Sequence, residues 1–148
     1  MAAQNDTVGA FVPGARAERE PLGTGRLSGH DFAVKDLYDV AGVITTYGNP
    51  DWASTHEAAS ATAPVVSALL QAGAHLVGKT KTVELAYGLT GENVWQGTPI
   101  NPRAPDRFPG GSSCGSARCG PARRCCCAPT AASWITMRRS RCAGCSAW

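Results

Sequence analysis

The last 32 residues of this 148-residue chain contain no lysine, aspartate or glutamate, and the first 116 contain one cysteine, Cys114. Residues 1–116 carry eight Lys/Arg against all eleven acids, a net of −3. Residues 117–148 carry six arginines and no acid, together with the other six cysteines. So abrupt a change of composition argues against one continuous fold. No apolar run reaches the ~18 residues of a membrane-spanning helix, and no basic stretch followed by an apolar one opens the chain. A cytoplasmic protein without membrane partners is the expectation. In that reducing compartment the clustered thiols would not form structural disulfides. The arginine-rich tail lacks the lysines and aromatics of a nucleic-acid footprint. Cys142-x-x-Cys145, with Cys119 and Cys125–Cys127, has a zinc-like spacing but lacks a second CxxC or an HxxxH to complete a site. No internal repeat is present.

What is there reads as α/β. Residues 1–28, rich in Gly, Pro, Ala and charge, predict a mobile arm or a poorly fixed first helix. Phe32-Ala33-Val34 predicts a short strand, and 41–48 (AGVITTYG) a second strand or strand-like loop. The clearest helix lies in 60–80, with Thr62 as N-cap, Pro64 in the first turn, and Val65, Val66, Leu69 and Leu70 as its apolar stripe. Gly73 is its stop, and His75-Leu76-Val77 a buried strand. A further short helix is expected in 82–91, and a proline-punctuated loop from Trp95 to Gly115. Strand, helix, strand is the cadence of an α/β domain.

Three features carry potential chemistry: Lys35 after an apolar strand, the glycine–serine run PGGSSCGS at 109–116, and GKT at 78–80. Each alone has a bland reading. A lysine at a strand end is commonly solvated, a Gly-Ser run is commonly a turn, and GKT lacks the upstream glycine of a phosphate-binding loop. Together, a lysine–serine pair is a known variant of nucleophilic hydrolysis. His30, His56 and His75 are scattered and read as structural or solvated, and Trp52 and Trp95 as anchors. Cys114 reads as a packing residue, and Asp36 as the residue that fixes the loop after Lys35.

In order along the chain, FAVKDLYDVAGVITTYGNPDW (32–52), ATAPVVSALLQAGAHLVGKTKTVELAYG (61–88), GENVWQGTPINP (91–102) and PGGSSCGSA (109–117) resemble the amidase signature family. GNPDW leans toward the indole-3-acetamide amidohydrolase branch. The resemblance implies an α/β fold with a mixed sheet flanked by helices, of which 29–117 would be the N-terminal part. It also implies a Ser–cis-Ser–Lys triad acting on a small-molecule primary amide, without metal or cofactor, in an enzyme whose full-length form is compatible with a homo-oligomer. Lys35 corresponds to the catalytic lysine and Ser112 to the bridging serine after a cis peptide. Gly110, Gly111 and Ser113 form the substrate and oxyanion loop. The tRNA-dependent amidotransferase, whose amidase-like component works on misacylated tRNA, belongs to the same family and is the alternative enzyme. A zinc-binding tail, and an amidase-like scaffold that has lost catalysis, are the non-enzymatic alternatives.

The attacking serine of the family follows the bridging one by roughly two dozen residues, which lands here on Thr136 without the accompanying Gly-Thr-Asp-x-Gly-Gly-Ser pattern. Each codon's last base, joined to the first two of the next, lets Cys142–Trp148 be read Val-Cys-Gly-Val-Phe-Gly-Val. The same shift permits Thr-Asp-(Ser/Gly)-Gly over Ala128–Ala132 and an Ala/Val/Leu-rich helix over Arg118–Cys127. Trp134 still forbids a serine where the nucleophile belongs. Residues 118–148 are therefore expected to be a frameshifted, disordered tail, and the chain as written to be inactive.

Overall fold

The computed structural model describes residues 6–14, 17–118 and 135–139. Strand β1 (His30–Lys35) and strand β2 (His75–Thr80) are each buried from their second residue to their last, on both faces, as strands of a parallel pair covered on both sides must be. They pair in parallel, Phe32 beside Leu76 and Lys35 beside Thr80, with a register shift between Phe32 and Ala33. The connection between them carries helix α1 (Pro50–Thr55) and helix α2 (Pro64–Gln71). Asn49 caps α1 by accepting a hydrogen bond from the Trp52 N–H at 2.7 Å.

Helix α2 forms because its stripe has somewhere to go. Val66 and Leu70 are buried in a core with Phe32, Val34, Val40 and Leu76, and Leu69 packs against it. Each of these side chains contributes about 1.5–3 kcal/mol by leaving water. The helix closes as its sequence suggests. Gly73 sits at φ +95°, its N–H donates to the Leu70 carbonyl, and that of Ala74 donates to Leu69, a complete Schellman ending. The helix start differs from expectation. Ala63 is the N-cap, without a side-chain bond, and the Thr62 hydroxyl instead accepts from the Ala41 N–H at 3.0 Å.

Two further elements depart from the sequence reading. Residues 41–48 form turns and loop rather than a strand, because Thr45 and Thr46 give their hydroxyls to the Asp39 and Asp36 carboxylates. Segment 82–91 yields only a 3-10 turn at Glu84–Ala86, in which Leu85 and Ala86 have positive φ. The arm over 1–28 is not mobile across its described residues. Val12 donates to Lys79, Arg19 and Leu76 exchange backbone bonds at 3.0 Å, and Lys81 donates to Ala10. Phe11 and Ala10 pack with Ala33 and Val77 in a second small core. An open strand edge needs partners, and the arm supplies them to β2.

Within the tail, residues 135–139 depart from the expected disorder. Strand β3 (Ile135–Arg139) lies antiparallel to β1, giving the sheet order β2-β1-β3, and Ile135 and Met137 pack against the main core. The sheet is thus mixed, as expected. Helix α3 (Cys114–Arg118) begins inside the glycine–serine run and packs near the strands.

Candidate active site

Lys35 is the last residue of β1 and is 1% exposed. Its Nζ donates to the Ser112 Oγ at 2.7 Å across 77 residues of sequence. The sheet fixes one partner. The other is fixed by a loop whose backbone is bonded almost residue by residue. Gly110 and Gly111 donate to the Thr90 and Leu89 carbonyls, and Gly115 donates to Lys81. The Ser112 carbonyl accepts from the Val83 N–H at 3.0 Å and the Thr82 hydroxyl at 2.9 Å. The Gly111–Ser112 peptide bond is cis. Glycine at 111 is a packing requirement, since a Cβ there would lie 2.8 Å from Val83 and 2.9 Å from the Gly91 nitrogen.

Burial holds the Lys35 ammonium below its ordinary range, with the nearby Cys114 thiol opposing weakly. A lysine depressed in this way can accept a proton from a hydroxyl. Burial pushes the Cys114 thiol up, and its Sγ donates to the Lys81 carbonyl at 3.5 Å. Cys114 is fully buried and makes a weak nucleophile there. Ser113 is buried too, and its hydroxyl has no hydrogen-bond partner among the described residues. Burial also lowers the Lys81 ammonium, against the Asp6 carboxylate and the Cys114 thiol.

Beneath the pair lies a polar network that sequence reasoning touched at Asp36 and, through the GKT run, at Lys79 and Thr80. The Asp36 N–H donates to Thr80, and its carboxylate takes the Thr46 N–H and hydroxyl and an ion pair with Lys79 at 2.6 Å. Lys79 also donates to the Thr45 hydroxyl at 2.8 Å, and Thr45 to Asp39 at 2.6 Å. Asn93 donates to the Gly48 and Thr82 carbonyls and accepts from the Trp95 and Gln96 N–H groups. Lys79 lay inside the GKT run but carried no signal as an ion-pair partner, and Thr82 and Asn93 had none beyond ordinary polarity, because Asp36, Ser112 and Gly48, which hold them, are at least 30 residues away in sequence. Asp36 therefore ties the loop after Lys35, the role its position suggested.

Other residues singled out have ordinary surroundings. His75 faces Asp31 at 3.2 Å, His56 stacks on Trp52 at 3.8 Å, and Trp95 donates to Glu84. Thr136, where spacing placed the nucleophile, pairs with Ala33 in β3. Cys119, Cys125–Cys127, Cys142 and Cys145 lie outside the described residues, and the zinc-tail reading lies there with them.

The family model described as Amidase matches residues 6–125, reaching past the boundary expected at Ala117. The chain is 52% identical over 121 residues to Amidase 1 of Arabidopsis thaliana, covering 79% of this chain and 28% of that protein. It is 54% identical over 91 residues to the translocon at the outer membrane of chloroplasts 64 of Pisum sativum, covering 62% of this chain and 15% of that one. Among solved structures, a glutamyl-tRNA(Gln) amidotransferase chain from Thermotoga maritima superposes with a TM-score of 0.62 at 31% identity, over 77% of this chain and 25% of that one. The chain thus spans under a third of the relatives it matches.

Proposed function

This chain belongs to the Amidase family, and on that premise we propose that it carries the lysine and bridging serine of an amide hydrolase but not the attacking serine. The observation that carries the reading is the 2.7 Å contact from a buried lysine to a serine hydroxyl on a pinned loop. In the reaction, neutral Lys35 takes the Ser112 proton as Ser112 takes that of a second serine. The second serine's oxygen attacks the amide carbonyl, and backbone N–H groups hold the developing oxyanion. The C–N bond breaks, the proton returns to the leaving nitrogen, and ammonia departs. Water then frees the carboxylic acid from the acyl-enzyme. The substrate class is a linear primary carboxamide, indole-3-acetamide being the one to assay first.

The second serine belongs in a reading frame shifted near codon 117, with a second departure from the written sequence at Trp134, which the shift alone does not turn into serine. Resequencing the encoding DNA from about codon 105 onward tests this. A shifted frame that continues the family pattern supports the reading, and an unbroken frame as written removes catalysis from it. Expressed from the restored frame, the enzyme should hydrolyse indole-3-acetamide, and Lys35→Ala and Ser112→Ala should each lower kcat about a thousandfold. The chain as written should release no ammonia. Measurable turnover by the chain itself would sink the proposal. A cytoplasmic location is part of the same proposal. Fractionation of the source cells checks it.

A further inference from the structure

We propose that Lys79 is a positioning residue for Lys35: it holds the Asp36 carboxylate away from the lysine beside it, so that Lys35 stays on the Ser112 hydroxyl. The chain has three lysines, Lys35, Lys79 and Lys81, and all three are buried, at 1%, 4% and 7% exposure. Lysine is almost never buried without a partner, and each of the three is held differently. Lys35 donates to Ser112 at 2.7 Å, Lys79 is ion-paired with Asp36 at 2.6 Å, and Lys81 lies in the field of the Asp6 carboxylate.

The ion pair skips the nearest lysine. Lys35 and Asp36 are adjacent, with Cα atoms about 3.8 Å apart, and both are 1% exposed. Away from water an anion and an ammonium attract strongly. A Lys35 captured by Asp36 would be held charged, unable to take a proton. Strand β2 prevents this by setting Lys79 beside Val34 in the parallel register. From there Lys79 takes the carboxylate, which also accepts from the Thr46 N–H and hydroxyl. Lys79 is itself fixed by the Thr45 hydroxyl at 2.8 Å.

The other charged or titratable groups near Lys35 among the described residues do not take over that task. The Cys114 thiol of α3 couples to both Lys35 and Lys81, and Asp39 stands behind Thr45. On β3, Ile135 pairs with Val34, while Arg138 and Arg139 pair with Asp31 and His30 at the far end of β1. What acts on the Lys35 ammonium is burial, opposed by the Cys114 thiol. The adjacent carboxylate is not among these causes, as befits an anion already held by Lys79. The consequence for catalysis rests on the amidase reading. The holding of Asp36 rests on the contacts alone and is tested in the chain as written.

With three lysines, the full chain carrying carbon-13 at lysine Cε gives three signals, each assigned by its loss on substitution. Their titration reads the proton affinity of Lys35 directly. Lys79→Met frees Asp36, and the Lys35 midpoint should rise by about one pH unit or more. Asp36→Asn removes the anion and should not raise it. The double variant Asp36→Asn/Lys79→Met should return the midpoint to that of the parent, and Lys79→Arg should keep it there. Where Lys79→Met does not fold, Lys79→Gln, which keeps a donor without the charge, carries the same expectation in sucrose, which favours the folded state. An unmoved midpoint in the Lys79 variants would overturn the proposal. An equal rise in Asp36→Asn and in the double variant would overturn it too, because simple loosening admits water in all of them. In the restored-frame enzyme, Lys79→Met should move the pH profile of kcat upward by the same interval. The expected titration without turnover by that enzyme would overturn the amidase reading and leave the role of Lys79 standing. Turnover with an unmoved Lys35 midpoint would do the reverse.

Discussion

Lys35 and Asp36 are neighbours in sequence with opposite fates. Lys35 reaches a neutral hydroxyl, whereas Asp36 is locked to Lys79 at 2.6 Å with both side chains buried. Breaking such a pair strands a buried charge, so Lys79→Met should cost about 3–5 kcal/mol in urea unfolding, and Asp36→Asn a similar amount. A loss under about 1 kcal/mol would mean the pair is solvated. Lys35 makes a prediction about pH. Its folded pKa lies below the ordinary 10.5, so the stability it withholds is recovered above that value and lost as pH falls through the lowered one. Lys35→Met should therefore be more stable than the parent at neutral pH, by a margin that shrinks as pH approaches 10.5. Lys81 shifts in the same direction and is unchanged in both proteins. A margin that grows with pH would contradict the burial of Lys35. In the restored-frame enzyme, kcat should rise with pH through the same lowered pKa.

At the scale of elements, α2 was the easiest to read, because its stop signal is local. Gly73 at φ +95° has the Ser28 side chain and the Gly25 backbone within about 3 Å of where a Cβ would stand. Gly73→Ala should thus cost more than the ~1 kcal/mol ordinary for a left-handed position, measured by thermal unfolding. The strand alternative for 41–48 and the helix expected in 82–91 failed for a related reason. β-branched residues and an amphipathic run carry propensity, but Thr45, Thr46 and Thr82 spend their hydroxyls on Asp39, Asp36 and the Ser112 carbonyl, and such bonds outweigh a few tenths of a kcal/mol of propensity. Strand β3 carries the other element-scale prediction. Ending the chain after Arg118 removes the antiparallel partner of β1 and the packing of Ile135 and Met137, so both the unfolding midpoint and the urea m-value should fall. An unchanged curve would show that β3 adds nothing to the sheet.

For the whole molecule, burial is uneven. The sheet and α2 enclose Phe32, Val34, Val66 and Leu76 completely, while the loop beyond β2 displays Tyr87, Leu89 and Val94. Truncating Phe32 to Ala should cost about 3–5 kcal/mol in urea unfolding, whereas Leu89→Asp should change stability by less than about 0.5 kcal/mol. Legible in the chain alone were the short strand at Phe32–Val34, the buried strand at His75–Val77, the helix between them with its glycine stop, and the family that the ordered motifs resemble. Each of these rests on periodicity or on residues adjacent in the chain. Contacts formed in the folded chain settle that the arm completes the edge of β2, that residues 135–139 join the sheet, and that Lys79, Thr82 and Asn93 support the Lys35–Ser112 contact. Those are pairings across long stretches of chain, set by which backbone edges and buried charges lack a partner once the core has formed, and no local pattern records them.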